Sequence, residues 1–256
     1  MSLHDITALR VNGEEASLSK VLRLARIRSS FAALDDKIET ILVRQAAPEL
    51  GITVSDDELQ SGVDEFRTSR GLFTSQATLE WLQQQRIELD DLEELVESMI
   101  TAAKVREAVS AGRIEKFFSE NLLSFESAMI SQLLVQEEGE ALELLQQIND
   151  EAADFNSLAR EYSIDETTRP AGGFAGTVAR TILTPETEAA VFGASAGEVV
   201  GPFKAPNGYY LIKIEQINKP VLDPQTTEQI KDVLYRDWLA ARYQKSAVEI
   251  TIWDQI

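Results

Sequence analysis

A change of period near Leu123 constrains this chain more than any other feature. Before it, apolar residues recur every three or four positions, as on one face of a helix. After it, branched apolar residues arrive in short runs of strand length, separated by glycine and proline signals. A chain of 256 residues with this break has room for two cores, one helical and one mixed.

The helical part reads in detail. Residues 19–34 place Val21, Leu22, Leu24, Ala25, Ile27 and Phe31 on one stripe. Residues 35–47 continue it through Ile38, Ile41, Leu42 and Val43, until Pro48 and Gly51 close the element. Ser55 with Glu58 forms a capping box ahead of Leu59, Val63 and Phe66, and Gly71 stops that helix. Leu79, Trp81 and Leu82 mark a short helix. Asp90 with Glu93 is expected to cap a long one through Leu92, Leu95, Val96, Met99, Ile100 and Val105. Ile114, Phe117 and Phe118 belong to a last piece.

Beyond the break, residues 127–135 read as a strand, residues 138–148 and 154–162 as helices, and residues 171–176 as a glycine-rich turn. Thr184 followed by Pro185 starts a short helix to Phe192. Two strands, 198–203 and 209–217, flank a turn at Pro206, Asn207 and Gly208. The expected order is strand, helix, helix, strand, helix, strand, strand. A polar linker then leads to Asp223-Pro224, which caps a helix with Ile230, Val233, Leu234, Trp238 and Ala241 on its apolar face. Residues 248–252 alternate with period two, the habit of a half-buried strand. Such a strand must satisfy its backbone, and residues 6–11 are its expected partner. The reading is therefore an α+β protein. Residues 1–122 plus 220–256 form a helical domain completed by the C-terminal helix and strand, and residues 123–219 form an inserted α+β domain.

Several chemistries are excluded by composition. There is no cysteine, so disulfides, thiolate catalysis and cysteine-ligated zinc are absent. The one histidine, His4, rules out histidine pairs, Ser-His-Asp triads and multi-histidine metal sites. A net charge of −19, gathered at residues 56–58, 88–97 and 137–143, leaves no basic stripe for nucleic acid. Those runs read as solvated helix faces; an acidic surface attractive to basic clients is the sharper alternative. No run reaches the roughly 18 apolar residues that span a bilayer. The first residues lack a basic stretch followed by an apolar core, so a cytoplasmic protein without membrane insertion is expected, with a trimmed exported protein as the alternative. The glycines of residues 172–176 do not have phosphate-loop spacing, and no cofactor or metal is expected.

The layout and its particular residues resemble the SurA/PrsA family of parvulin chaperones. In the helical part the resemblance runs through Arg10-Val-Asn-Gly-Glu14, Asp36-Lys-Ile-Glu-Thr-Ile-Leu42, Leu50-Gly-Ile-Thr-Val-Ser-Asp-Asp-Glu-Leu59 and Leu79-Glu-Trp-Leu82. In the mixed part, Asp154-Phe-Asn-Ser-Leu-Ala-Arg-Glu-Tyr-Ser163 is similar to the family's DFxxLAxxYS helix. Gly172, Gly173 and Gly176 sit where its GGDLG turn sits. Gly197-Glu-Val-Val-Gly-Pro202 and Gly208-Tyr-Tyr-Leu-Ile-Lys-Ile214 resemble its last two strands. The resemblance implies a SurA-N-like domain carrying an inserted parvulin (FKBP-like) domain, a peptidyl-prolyl cis-trans isomerase by family, and extended or unfolded polypeptides as clients.

The implied active site departs from the family pattern. The two family histidines fall on Gln132 and Tyr210, while Asp165 keeps an aspartate common in bacterial members. Those three are the implied catalytic positions. Phe174, Ala175, Leu183, Thr187 and Asn207 fall on the substrate-binding positions, with Thr187 replacing a pocket phenylalanine. Isomerisation lowers an amide rotation barrier of ~18–20 kcal/mol and breaks no bond between heavy atoms, so losing histidine need not abolish it. Gln132 and Tyr210 can still hydrogen-bond each other, or the substrate carbonyl. Losing the aromatic wall removes roughly 1.5–3 kcal/mol of burial and adds a hydroxyl in need of a partner, unless Phe174 refills the space. Three readings follow: a chaperone binding extended segments with weak or lost isomerase activity, an active isomerase with an altered pocket, or a dedicated adaptor for a peptide precursor or secretion component.

Overall fold

In this computed structural model, which describes residues 3–255, the chain opens with a hairpin rather than a lone strand. Strands β1 (Thr7–Val11) and β2 (Glu14–Ser17) pair antiparallel through Asn12-Gly13, with φ of 52° and 91°. Asn-Gly suits a two-residue turn that needs positive φ at both positions. Helix α1 (Leu18–Ile27) follows and packs on the hairpin. The expected continuous stripe breaks at residues 28–31, where Ser29 has φ 50°, and resumes as α2 (Ala32–Ala46).

The capping box is present: Ser55 N–H donates to Glu58 Oε2 at 2.8 Å, and Glu58 N–H donates back to Ser55 Oγ at 3.3 Å. It starts α3 (Asp56–Ser69), which is followed by α4 (Ser75–Gln85) and α5 (Leu89–Ser110). The cap of α5 differs from the sequence reading. Glu88 takes the N-cap position and its N–H donates to Asp91 at 2.8 Å, so the pair is Glu88/Asp91 rather than Asp90/Glu93. Phe66, Leu82, Leu92 and Val96 form one core there. Gly62 lets α3 and α5 meet closely, since an added Cβ would lie 2.7 Å from Val96 Cγ1. Val43, Ala47, Val105 and Val109 form a second core, covered by Tyr235 and Trp238 of α10 (Pro224–Gln244).

Residues 248–252 do not pair with residues 6–11. Strand β1 pairs with β2 instead, and residues 251–255 turn as a 3-10 segment. Trp253 anchors that end, with its ring 4.5 Å from Phe31 and Arg26 5.0 Å above it. Helix α10 does return to the helical core, so the C-terminal contribution is a helix and an anchored tail, not a strand.

After α6 (Ile114–Glu120) comes a four-stranded antiparallel sheet in the order β4-β3-β6-β5. Its strands are β3 (Ser127–Val135), β4 (Phe174–Ala179), β5 (Val199–Ala205) and β6 (Gly208–Asn218). Helices α7 (Glu138–Asp150) and α8 (Phe155–Tyr162) cover one face over Leu133, Val135 and Leu211. Helix α9 (Pro185–Gly193) borders the other, over Ile130, Phe203, Ile212 and Ile214. The chain divides into two compact units, Met1–Ala111 with Gln229–Ile256, and Gly112–Glu228. Among the described residues no helix is long and apolar enough to cross a membrane.

Candidate functional site

Strand register decides which side chains share the face turned away from α7 and α8. Gln132 of β3 lies opposite Ile212 of β6, and Leu134 opposite Tyr210. With side chains alternating, Gln132, Leu134, Tyr210 and Ile212 therefore stand on one face. Phe203 of β5 lies opposite Tyr210 on its other side. Leu183 and Phe192 pack against the same apolar cluster, giving Tyr210 an apolar surround.

Asp165 is fixed by the loop that leaves α8. Ser163, fully buried, accepts from the N–H groups of Leu134 (3.2 Å) and Asp165 (3.3 Å), tying that loop to β3. Ile164 N–H donates to Leu134 O at 2.8 Å and completes the attachment. The Asp165 carboxylate accepts from Thr168 Oγ1 and Gln132 Nε2, each at 2.6 Å, and from Thr167 N–H at 3.0 Å. These donors, the Thr168 hydroxyl first, hold its pKa below the ordinary carboxylate value against the opposing effect of burial.

Gly173 makes the neighbouring turn possible. Gln132 N–H donates to Gly173 O at 2.7 Å, and Gly173 has φ +87°. A Cβ there would lie 2.4 Å from Gln132 O, so only glycine fits this approach.

Of the two hydrogen bonds open to Gln132 and Tyr210, with each other or with a substrate carbonyl, the first does not form. The Gln132 amide is committed to Asp165, and the Tyr210 hydroxyl has no hydrogen-bond partner among the described residues. Thr187 lies in the first turn of α9, where its hydroxyl is 3.0 Å from that of the N-cap Thr184. Its added polarity is thus satisfied locally. Phe174 does not refill the lost aromatic wall: it lies on edge strand β4 opposite Ser131 and is 47% exposed. Ala175 is exposed beside it, and Asn207 is exposed in the β5–β6 turn. Gln132 and Asp165 thus meet, Leu183 and Tyr210 share an apolar bed, and Phe174, Ala175 and Asn207 stand at the periphery. Ser163 and Thr168 are the positioning residues that sequence reasoning passed over. Ser163 ends a recognisable motif, whereas Thr168 carries no signal of its own.

Arg180 closes the end of this face next to α9. It pairs with Glu126 and with Glu188, and its guanidinium lies 4.7 Å above the Phe192 ring.

This fold and register belong to a known class. Residues 122–216 match the PPIC-type PPIASE domain, and residues 11–106 match the SurA-like N-terminal domain. Residues 122–216 thus carry a PPIC-type domain and residues 11–106 a SurA-like N-terminal domain. It is 30% identical over 190 residues to the foldase protein PrsA of Caldanaerobacter subterraneus, covering 74% of this chain and 58% of that one. It is 27% identical over 237 residues to the foldase protein PrsA of Halalkalibacterium halodurans, covering 90% of this chain and 70% of that one. The chain therefore spans little more than half the length of the first of these relatives. The crystal structure of a peptidylprolyl isomerase (PrsA) from Bacillus cereus superposes with a TM-score of 0.54 at 18% identity, covering 98% of this chain and 95% of that one. Its counterpart from Bacillus anthracis gives 0.53 at 21% identity, over 85% and 99% of the two chains.

Proposed function

We propose that the chain is a parvulin-type chaperone that holds extended, proline-containing polypeptide segments on the sheet face of Leu183, Tyr210 and Ile212, with isomerase activity weak or lost. In this reading residues 123–219 recognise the X-Pro segment, and residues 1–122 with 220–256 cradle the rest of the client.

The observation that carries it is the uncommitted Tyr210 hydroxyl above an apolar bed. Leu183, Phe192, Phe203 and Ile212 offer a floor for a proline ring, and Tyr210 offers a hydrogen bond to a peptide carbonyl. Catalysis needs the twisted amide to be favoured over both planar forms. Gln132 is held by Asp165, and Thr187 is turned to its own cap, so neither supplies the orienting group or the aromatic wall. Phe174, Ala175 and Asn207 then form the outer rim, meeting residues that flank the proline.

Exchange NMR on a panel of X-Pro peptides tests this directly. Chemical-shift changes at the proline, with cis-trans exchange close to the buffer rate, are expected. Exchange accelerated a hundredfold or more would replace the reading with an active isomerase with an altered pocket. A panel without any shift change would remove the site altogether.

A further inference from the structure

The dipeptide Asn-Gly occurs twice, at Asn12-Gly13 and Asn207-Gly208, each time in the connection of a β-hairpin. This pair has a chemistry of its own. The backbone nitrogen of the glycine can attack Cγ of the asparagine, because glycine carries no side chain to shield it. The two copies share a sequence but not an environment.

Asn12 and Gly13 make up the whole turn between Val11 and Glu14, and both are exposed. A Cβ built on Gly13 would meet nothing within 4 Å, so its nitrogen is open from that side. Neither the Gly13 N–H nor the Asn12 side chain has a hydrogen-bond partner among the described residues. Strand β1, which leads into the turn, is exposed along its length, and the hairpin is a two-stranded sheet by itself. The turn end of such a hairpin frays at little cost, which lets the Asn12 side chain reach the Gly13 nitrogen.

Around Asn207 the opposite holds. Gly208 is already a strand residue, paired with Ala205 across the hairpin. Its backbone is pressed against β3, where a Cβ built on Gly208 would collide with Val135 O. The two strands it joins carry the buried Phe203 and Leu211. Opening this turn would pull on β6, an inner strand of the four-stranded sheet, and local opening there is correspondingly costly.

We infer that Asn12 is a site of spontaneous deamidation, whereas Asn207 is kept intact by the sheet that holds it. The deprotonated Gly13 nitrogen bonds to Asn12 Cγ. The bond from Cγ to the side-chain nitrogen breaks, and that nitrogen leaves as ammonia, taking up the proton the glycine lost. The resulting succinimide ring then adds water. Opening at one ring carbonyl yields aspartate; opening at the other yields isoaspartate, whose main chain runs through the former side chain and is one carbon longer. Either product adds a negative charge to a chain already at −19. Aspartate still suits a two-residue turn with positive φ, but isoaspartate lengthens the turn and breaks its fit. The rim of the candidate peptide site at Asn207 therefore keeps its amide, while the hairpin of the helical unit changes with age.

Peptide mapping by mass spectrometry on the full folded chain tests this, with no client present. In warm, mildly alkaline buffer, the Asn12 peptide should convert from amide to carboxylate at least tenfold faster than the Asn207 peptide. In urea the two should convert at similar rates, since the difference belongs to the fold. An isoaspartyl methyltransferase with S-adenosylmethionine should label the aged protein, and Asn12→Gln should lower that label at least fivefold. Circular dichroism checks that the variant is folded. An Asn12 that stays intact as long as Asn207 in the folded chain would overturn the inference. So would a label that Asn12→Gln leaves unchanged. A rate difference that persists undiminished in urea would overturn it too, because it would then come from the flanking residues and not from the sheet.

Discussion

The two faces of the four-stranded sheet are built from alternate residues of the same strands, yet they differ in kind. Leu133, Val135 and Leu211 lie fully buried under α7 and α8. Gln132 and Tyr210, their immediate neighbours in sequence, are only partly covered and bear polar atoms. One face is closed by two helices; the other is bordered by a single short helix and a carboxylate network. The second face has a core of its own in Ala128, Ile130, Ile212 and Ile214, and only around Gln132 and Tyr210 is it left partly uncovered.

Substitutions can break this contrast, and the largest effect is expected on the closed face. Leu211→Ala should cost about 2–5 kcal/mol in chemical denaturation, since it removes a fully buried side chain from a packed core. A value under ~1 kcal/mol would mean that the face is not close-packed. Gly173→Ala comes next, at about 2–3 kcal/mol, because positive φ and the 2.4 Å approach to Gln132 O both penalise a Cβ. It should also shift the NMR signals of Gln132 more than those of Leu211.

Thr168→Val sharpens the comparison by touching only the network. Loss of the Thr168 hydrogen bond should cost about 1 kcal/mol and raise the Asp165 pKa. The sign follows from linkage. A carboxyl with a depressed folded pKa contributes its stability above its unfolded value near ~3.9, and that contribution is lost as pH falls through the folded value. In the variant this loss should be smaller and be complete at a higher pH, which a carboxyl ¹³C titration and acid unfolding both read. The smallest stability change, under ~0.5 kcal/mol, is expected for Tyr210→Phe, which removes a hydroxyl with no partner among the described residues. Peptide affinity should nonetheless fall severalfold. If stability falls and affinity does not, Tyr210 belongs to the packing of its face rather than to recognition.

Much of the architecture was legible because local signals agreed with it. The span of β3, the Ser55/Glu58 box and the Thr184-Pro185 start of α9 follow from residue type and spacing alone. The Asn12-Gly13 hairpin was also written in the sequence. It was overlooked because an alternating run at the far end offered a competing partner for β1. That competition is non-local, and no local pattern decides it. At the candidate site, residue type does not reveal which partner each side chain takes. Gln132 has two acceptable neighbours by residue type, Tyr210 and Asp165, and which one it meets depends on where the loop after α8 is tied down.

By itself the sequence determined the order of elements within residues 123–219 and the absence of thiols and of histidine pairs. Periodicity, capping and composition are short-range or additive properties, so they can be read residue by residue. Only the tertiary structure decided that Ser163 ties the loop after α8 to β3 and so places Asp165 within 2.6 Å of the Gln132 amide. It also decided that Thr187 satisfies its hydroxyl within its own helix cap, and that Tyr210 is left with an unspent hydroxyl. Each of these depends on distances between residues far apart in the chain, set by strand register and by which loop is tied to which strand.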